Sequence, residues 1–259
     1  MKNIIIALSI VAVIMFAGCV QQPPQIVVYK SEYPLGDTSV IWLGHSTFEI
    51  KDSNKIIYTD PYVLSAEPDP ADYIFISHNH FDHCSPEQVK KIQVKDITKI
   101  VSTFDCVKNL TGRTFSLDTG QEEFIDFNDG VKVEFFNAYN EYHEKGKSAG
   151  MLITLNRTGV VKKIYHAGDT GLIQEFTNLT KEKIDVLLVP IGGKYTMDVN
   201  EAAQAAKIIN PKVVIPMHYN SDIYGIPNIN ADPSQLKELL KGTGIEAVIL
   251  TPLVKIVSS

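Results

Sequence analysis

The chain has 259 residues, 44% of them hydrophobic, and a formal charge of -6. That is enough apolar material for one substantial core, and at this length one large α/β domain is as good a solution as two small ones. The acidic balance and the lack of a Lys/Arg cluster argue against nucleic acid as a partner, because phosphate binding depends on neutralising a polyanion; a small molecule fits better.

The first twenty residues, MKNIIIALSIVAVIMFAGCV, combine a cation at Lys2, an apolar run from Ile4 to Phe16, and small Ala17 and Gly18 before Cys19. The run is short for a spanning helix, which needs about 20 apolar residues. FAGC followed by polar VQQPPQ resembles a prokaryotic lipoprotein signal, with Phe16 where Leu is usual. The resemblance implies a signal peptide over 1–18 and an acylated Cys19; an uncleaved N-terminal anchor is the alternative. Either way the remainder is extracytoplasmic and meets the membrane only through its N-terminal anchor. Residues 19–37, with two adjacent prolines and no period, read as a tether, and 38–259 as the folded domain.

Short β-rich runs follow at Ser39–Leu43, Phe48–Ile50, Lys55–Thr59 and Tyr73–Ser77. FNDG, Phe127 to Gly130, lies between two strand patterns, and its Asp-Gly pair predicts a two-residue hairpin turn. Later strands are expected at Met151–Leu155, Val161–Tyr165, Val186–Pro190, Val213–Pro216 and Ala247–Leu250, alternating with helical segments. Ser85, Pro86 and Gln88 spell a helix N-terminus with a capping box. Asp232, Pro233 and Gln235 repeat it, with Gly242 as the stop, and an alanine-rich helix runs from Asn200 to Ile209. Hairpin-linked strands in the first half and helix-linked strands in the second predict one α+β domain with two sheets.

The chemistry concentrates in YIFISHNHFDHCSPE, where three of the seven histidines and an aspartate fall within six positions. Residues two apart on an extended segment point the same way, so His78 and His80 converge, while Asp82 and His83 sit at the entrance to the Ser85-capped helix. Imidazole and carboxylate together are ligands for zinc or a related first-row metal. Four ligands this close cannot easily all wrap one tetrahedral ion, so two ions suit them better. Cys84 and Cys106 are too few for a disulfide framework, and one bridge between them stays open. Cys84 reads as a small buried side chain and not a ligand.

SHNHFDH resembles the H-x-H-x-D-H motif of the metallo-β-lactamase superfamily. IYHAGDTG is similar to that superfamily's strand ending in a bridging aspartate, here Asp169, and VVIPMHY to its late strand ending in a histidine, here His218. With WLGHSTFEI, YTDPY and PIGGKYTMDVNEAA the likeness spans roughly Ser39 to Leu253, and runs to the branch of small uncharacterised hydrolases that contains the ascorbate-6-phosphate lactonases. It implies a four-layer αβ/βα sandwich and two divalent metal ions, zinc foremost, with manganese or iron as alternatives. One ion would take His78, His80 and a third histidine, the other Asp82, His83 and His218, with Asp169 bridging. In NAYNEYHEKGKSAG some relatives carry histidine where Asn140 stands. Amide oxygens bind zinc poorly beside imidazole, so His143 is expected to complete the first set, a surface role being its alternative.

His45 is expected beside the ligands or in packing, His166 either lining the site or in the core, and Asp60 either orienting a ligating imidazole or forming an Asp-Pro turn. Gly192 and Gly193 suggest a loop at the pocket rim, and Lys194, Tyr195 and Tyr219 substrate contacts, the lysine favouring an anionic leaving group or carboxylate. The resemblance implies a hydrolase that uses a metal-bridged hydroxide, with Asp82 and Asp169 as catalytic carboxylates, to cleave an ester, lactone or phosphodiester of a small or lipid-like molecule. A non-catalytic extracytoplasmic metal-binding or sensing protein is the alternative.

Overall fold

The structure, a computed structural model, describes residues 30–119 and 123–254; the signal peptide read over 1–18 and Cys19 lie outside them. Two seven-stranded sheets account for the strands. In the first, β1 (Glu32–Leu35), β2 (Thr38–Gly44), β3 (Thr47–Asp52) and β4 (Lys55–Thr59) form an antiparallel meander, continued in parallel by β5 (Tyr73–Phe75), β6 (Lys99–Ser102) and β7 (Arg113–Ser116). The second repeats the scheme. β8 (Phe124–Asp126), β9 (Val131–Ala138), β10 (Ser148–Arg157) and β11 (Val160–His166) are antiparallel, and β12 (Val186–Pro190), β13 (Val213–Met217) and β14 (Glu246–Ala247) follow in parallel.

This symmetry changes the expected division between halves. Parallel strands need long crossovers and antiparallel ones only tight turns, and each sheet contains both kinds. Glu32–Leu35, inside the stretch read as tether, is an edge strand on β2. The FNDG turn is also longer than expected: Phe127 N–H donates to Val131 O at 3.0 Å, and the positive φ angles fall on Asn128 and Gly130. Asn tolerates that conformation, which leaves the Asp129 side chain free to meet cations.

Burial follows the pairing. β9 alternates, with Val131, Val133 and Phe135 inside, whereas β12 and β13 are buried at every residue, as parallel strands covered on both faces must be. Along β5 and the residues after it, Tyr73 and Phe75 join the main core with Trp42, Phe48 and Met151, while Ile74 and Ile76 point to the other face. There Val89 and Ile92 of helix α1 (Pro86–Ile92) cover them. A one-turn helix α2 (Phe104–Val107) lies against β6 and β7, and α3 (Val199–Ile209) packs on β12 and on α4 (Ser234–Leu239). Two packed sheets with helices against them give the expected α+β sandwich.

The helix ends differ in detail. Ser85 Oγ accepts from Gln88 N–H at 3.4 Å, but the Gln88 side chain accepts from Lys91 and does not close the box. The full capping box belongs to α3, between Asp198 and Glu201, two residues before the expected start. In α4 Asp232 accepts from Ser234 N–H at 2.9 Å, and the helix starts one residue later than the capping pattern implies.

Candidate metal centre

The ligand candidates gather where strands end. His78 to His83 follow β5, Asp169 follows β11, His218 follows β13, and His143 comes from the loop between β9 and β10. His78 Nε2 and His80 Nδ1 are 3.1 Å apart, and the His143 ring centroid stands 5.0 and 4.8 Å from theirs. On the other side Asp82 Oδ2 is 3.8 Å from His83 Nε2, whose ring stacks at 5.6 Å on His218. Asp169 reaches both groups: its Oδ2 is 3.5 Å from His143 Nε2, 3.4 Å from His83 Nε2 and 3.1 Å from His218 Nε2. All seven predicted site residues therefore converge, and His143, not a surface residue, is buried among them.

A divalent cation fits this arrangement. His83 Nε2, His143 Nε2, His218 Nε2 and Asp169 Oδ1 are buried and have no hydrogen-bond partner. Leaving such groups unpaired costs about 1–3 kcal/mol each, whereas a cation between them would satisfy all. The donor atoms form overlapping sets, His78/His80/His143, His78/His83/Asp169 and His45/Asp82/His83/His218.

Neighbouring groups decide which nitrogen of His83, His78 and His143 faces inward. His83 Nδ1–H donates to Asp60 Oδ2 at 2.7 Å, the orienting role open to Asp60 in the sequence. Asp60 also accepts from the N–H and hydroxyl of Ser77, both at 2.7 Å, and Ser77 Oγ lies 2.9 Å from His78 Nδ1. Because the hydroxyl proton goes to Asp60, Ser77 accepts from His78, leaving His78 Nε2 for a ligand role. Asn140 Oδ1 accepts from the N–H groups of Tyr142 and His143 and from His143 Nδ1–H at 3.0 Å, so Asn140 orients the neighbouring imidazole. His45 Nε2–H donates to Asp82 Oδ2 at 3.2 Å, its Nδ1 against Ser221 Oγ at 3.0 Å. Ser77 precedes the motif and Ser221 lies far along the chain, and neither carries a recognisable sequence signal. Asp60, His45 and His218 all adopt left-handed backbone, with φ of 40°, 50° and 55°; strain of this kind concentrates at functional sites.

The charges suit a cation at neutral pH. Burial holds His78 well below the ordinary imidazole range, with His83 adding to the effect. Burial likewise brings His45 and His143 down to about 4. Burial acts on His83 in the same direction, but the carboxylates of Asp169, Asp82 and Asp60 outweigh it and raise its pKa. The reverse contest holds for Asp169: burial would raise it, and His218 and His83 keep it well below the usual carboxylate range. His78 and His143 are thus held neutral and Asp169 ionised, as a divalent ion requires, and binding an ion would displace the proton that the carboxylates favour on His83.

Other expectations resolve differently. His166 is a core histidine, its Nε2–H donating to Ser46 O at 3.0 Å. Tyr219 is buried and stacked on Trp42 at 5.3 Å, so it does not line the pocket. Lys194 lies over the Tyr195 ring, and of the two only Tyr195 reaches the pocket. At Gly192 a Cβ would stand 2.3 Å from His218 O, so this glycine lets the loop pass against the ligand's backbone. Cys84 is buried as expected, but it is bonded to Cys106, clamping the residue after His83 to α2.

Comparison with known proteins follows the same lines. Residues 39–218 match the family model described as "Beta-lactamase superfamily domain". A UPF0173 metal-dependent hydrolase of Nanoarchaeum equitans is 34% identical over 221 residues, covering 81% of this chain and 94% of that one. Another, from Thermococcus onnurineus, is 37% identical over 231 residues, covering 82% and 96%. The solved structure of Igni18, a metallo hydrolase from Ignicoccus hospitalis, is similar with a TM-score of 0.68 at 27% identity, covering 83% of this chain and 95% of that one. By the extent and identity of these matches, the chain belongs to the β-lactamase superfamily domain family, among the UPF0173 metal-dependent hydrolases.

Proposed function

We propose that the protein is a dinuclear metal-dependent hydrolase that cleaves an ester, lactone or phosphodiester of a small or lipid-like molecule. The observation that carries this reading is Asp169, whose Oδ2 lies within 3.5 Å of imidazoles from both ligand groups. His78, His80 and His143 would hold one ion, Asp82, His83 and His218 the other, with Asp169 between, and zinc suits a set dominated by imidazole. Bound divalent ions make water a nucleophile at neutral pH and polarise the scissile oxygen. Asp82 and Asp169 would be the carboxylates beside the reacting atoms. Asp60, Ser77 and Asn140 keep the imidazoles aimed while substrate exchanges.

Metal analysis of the full chain, with a screen of bis-p-nitrophenyl phosphate, lactones and phospholipids with and without chelator, tests the proposal. Chelator-sensitive turnover with about two ions per chain supports it. Fewer than about one ion rejects the dinuclear site, and bound metal without turnover on any class assigns the chain to metal binding or sensing.

We place the domain outside the cytoplasm, held to the membrane by Cys19 or the N-terminal segment. The leader sequence supports this, and the Cys84–Cys106 bond agrees with an oxidising compartment. Mass spectrometry of membrane-extracted protein, reading lipid on Cys19 or an intact leader, tests the placement.

A further inference from the structure

Over the ligand cluster opens a cavity of about 400 Å³, a size suited to a small molecule. Its floor is formed by the ligand candidates and its walls by Phe81, Tyr142, Tyr195, Gly225, Ile226 and Pro227. Phe81 stands in the sequence between two ligand candidates yet is 67% exposed, and Tyr142, next to His143, is 48% exposed. Large apolar side chains held open to water beside a reactive centre mark a surface kept for a ligand.

Both aromatics are braced. Tyr62 meets Phe81 edge to face at 5.9 Å and 87°, and its hydroxyl donates to Tyr224 O at 2.8 Å, immediately before the Gly225–Pro227 wall. Tyr195 meets Tyr142 at 5.1 Å and 82°, and its carbonyl accepts from Asn140 Nδ2 at 2.7 Å. Asn140 also orients His143, so this wall is fixed relative to the metal ligands. No lysine or arginine is among the described residues that line the cavity, and the nearby cation, Lys194, lies over the Tyr195 ring. Away from the metal ligands, a substrate chain ending in phosphate or carboxylate would have to desolvate that charge against aromatic rings with no cationic side chain to receive it.

We infer that the mouth selects a neutral carboxylic ester or lactone carrying an apolar chain or ring, held between Phe81 and Tyr142. This rests on the hydrolase reading and names its substrate class. Burying one methylene contributes up to about fourfold in binding, and contact with two walls returns about half of that or more.

The test uses the full chain loaded with zinc and γ-lactones with side chains from none to hexyl, below their aggregation limit, beside counterparts ending in carboxylate. The expected kcat/KM rises about twofold to fourfold per methylene until the cavity is full, and the carboxylate-ended member falls at least about tenfold below its neutral partner. Phe81→Ala and Tyr142→Ala flatten the rise while metal content per chain is retained, and Phe81→Leu keeps most of it. Turnover that is flat or falling with chain length, or faster on the carboxylate-ended series, overturns the inference and leaves the hydrolase reading standing. Absence of turnover on every lactone and on the phosphodiester and phospholipid screen, with metal bound, removes both.

Discussion

Asp60 Oδ2 lies 2.7 Å from His83 Nδ1, and this one contact decides which nitrogen of a buried imidazole is turned toward the metal centre. The carboxylate can only accept, so Nδ1 carries the proton and Nε2 is left for a ligand. Two further bonds from Ser77 hold Asp60 in its left-handed conformation. Replacing it with alanine or asparagine is expected to weaken zinc binding about 10–100-fold. Competition with a chromophoric chelator reads this directly; unchanged affinity in both variants would refute the orienting role.

His143 and Asn140 make opposite predictions although they are three residues apart. On the proposed dinuclear site, His143→Ala should lower bound metal from about two ions per chain toward one, because it removes a donor. Asn140→Ala should keep the stoichiometry and lose about tenfold in affinity, because it removes only the acceptor that aims the ring. Loss of a whole ion from the Asn140 variant would make the amide a ligand instead.

The Cys84–Cys106 bond closes a loop of sequence separation 22 across α1 and β6. By loop-closure entropy, replacing both cysteines with alanine should cost about 2–4 kcal/mol of stability. Urea unfolding of the metal-free protein measures it; a loss under about 0.5 kcal/mol would mean the bridge constrains little.

Asp129, in the β8–β9 turn, holds the second sheet's hairpin against the first sheet. Its Oδ2 meets the Tyr73 hydroxyl, Lys55 Nζ at 3.0 Å and Lys99 Nζ at 3.3 Å. Burial would raise its pKa, but the Tyr73 hydrogen bond and Lys55 outweigh this and bring it down to about 2 from 3.8. A depressed carboxyl stabilises the fold above its unfolded pKa, and that stability disappears as pH falls from about 4 to about 2. Because the side chain is 36% exposed, solvent screening reduces the contribution to about 1 kcal/mol. Asp129→Asn should therefore be about 1 kcal/mol less stable than wild type at pH 7, with the gap closing below pH 4. A gap that persists at pH 2 would show that charge is not its source.

The His78–His83 motif was legible because its ligands are neighbours in the chain and an extended segment sets their direction. Asp169 and His218 became candidates through resemblance, and His143 as the imidazole nearest to Asn140, where the resemblance breaks, each standing alone in its own segment. Amide chemistry argues against Asn140 as a ligand, but its contact with the His143 ring depends on a turn that brings its amide oxygen under His143. Ser221 could not be found, since only the fold carries it across to His45. β1 hid in a proline-bearing stretch whose strand character comes from pairing with β2.

Residue order alone settled the types of donor atom, the α+β class, and the strands whose apolar patterns are strong, because these depend on side-chain chemistry and local backbone preference. Folding settled the rest: that Asp169 stands between two groups of imidazoles, that Cys84 finds Cys106, that Tyr219 turns into the core while Phe81 stays in water. Those outcomes depend on which strand ends lie side by side, and β5, β11 and β13 meet only after two sheets have packed face to face.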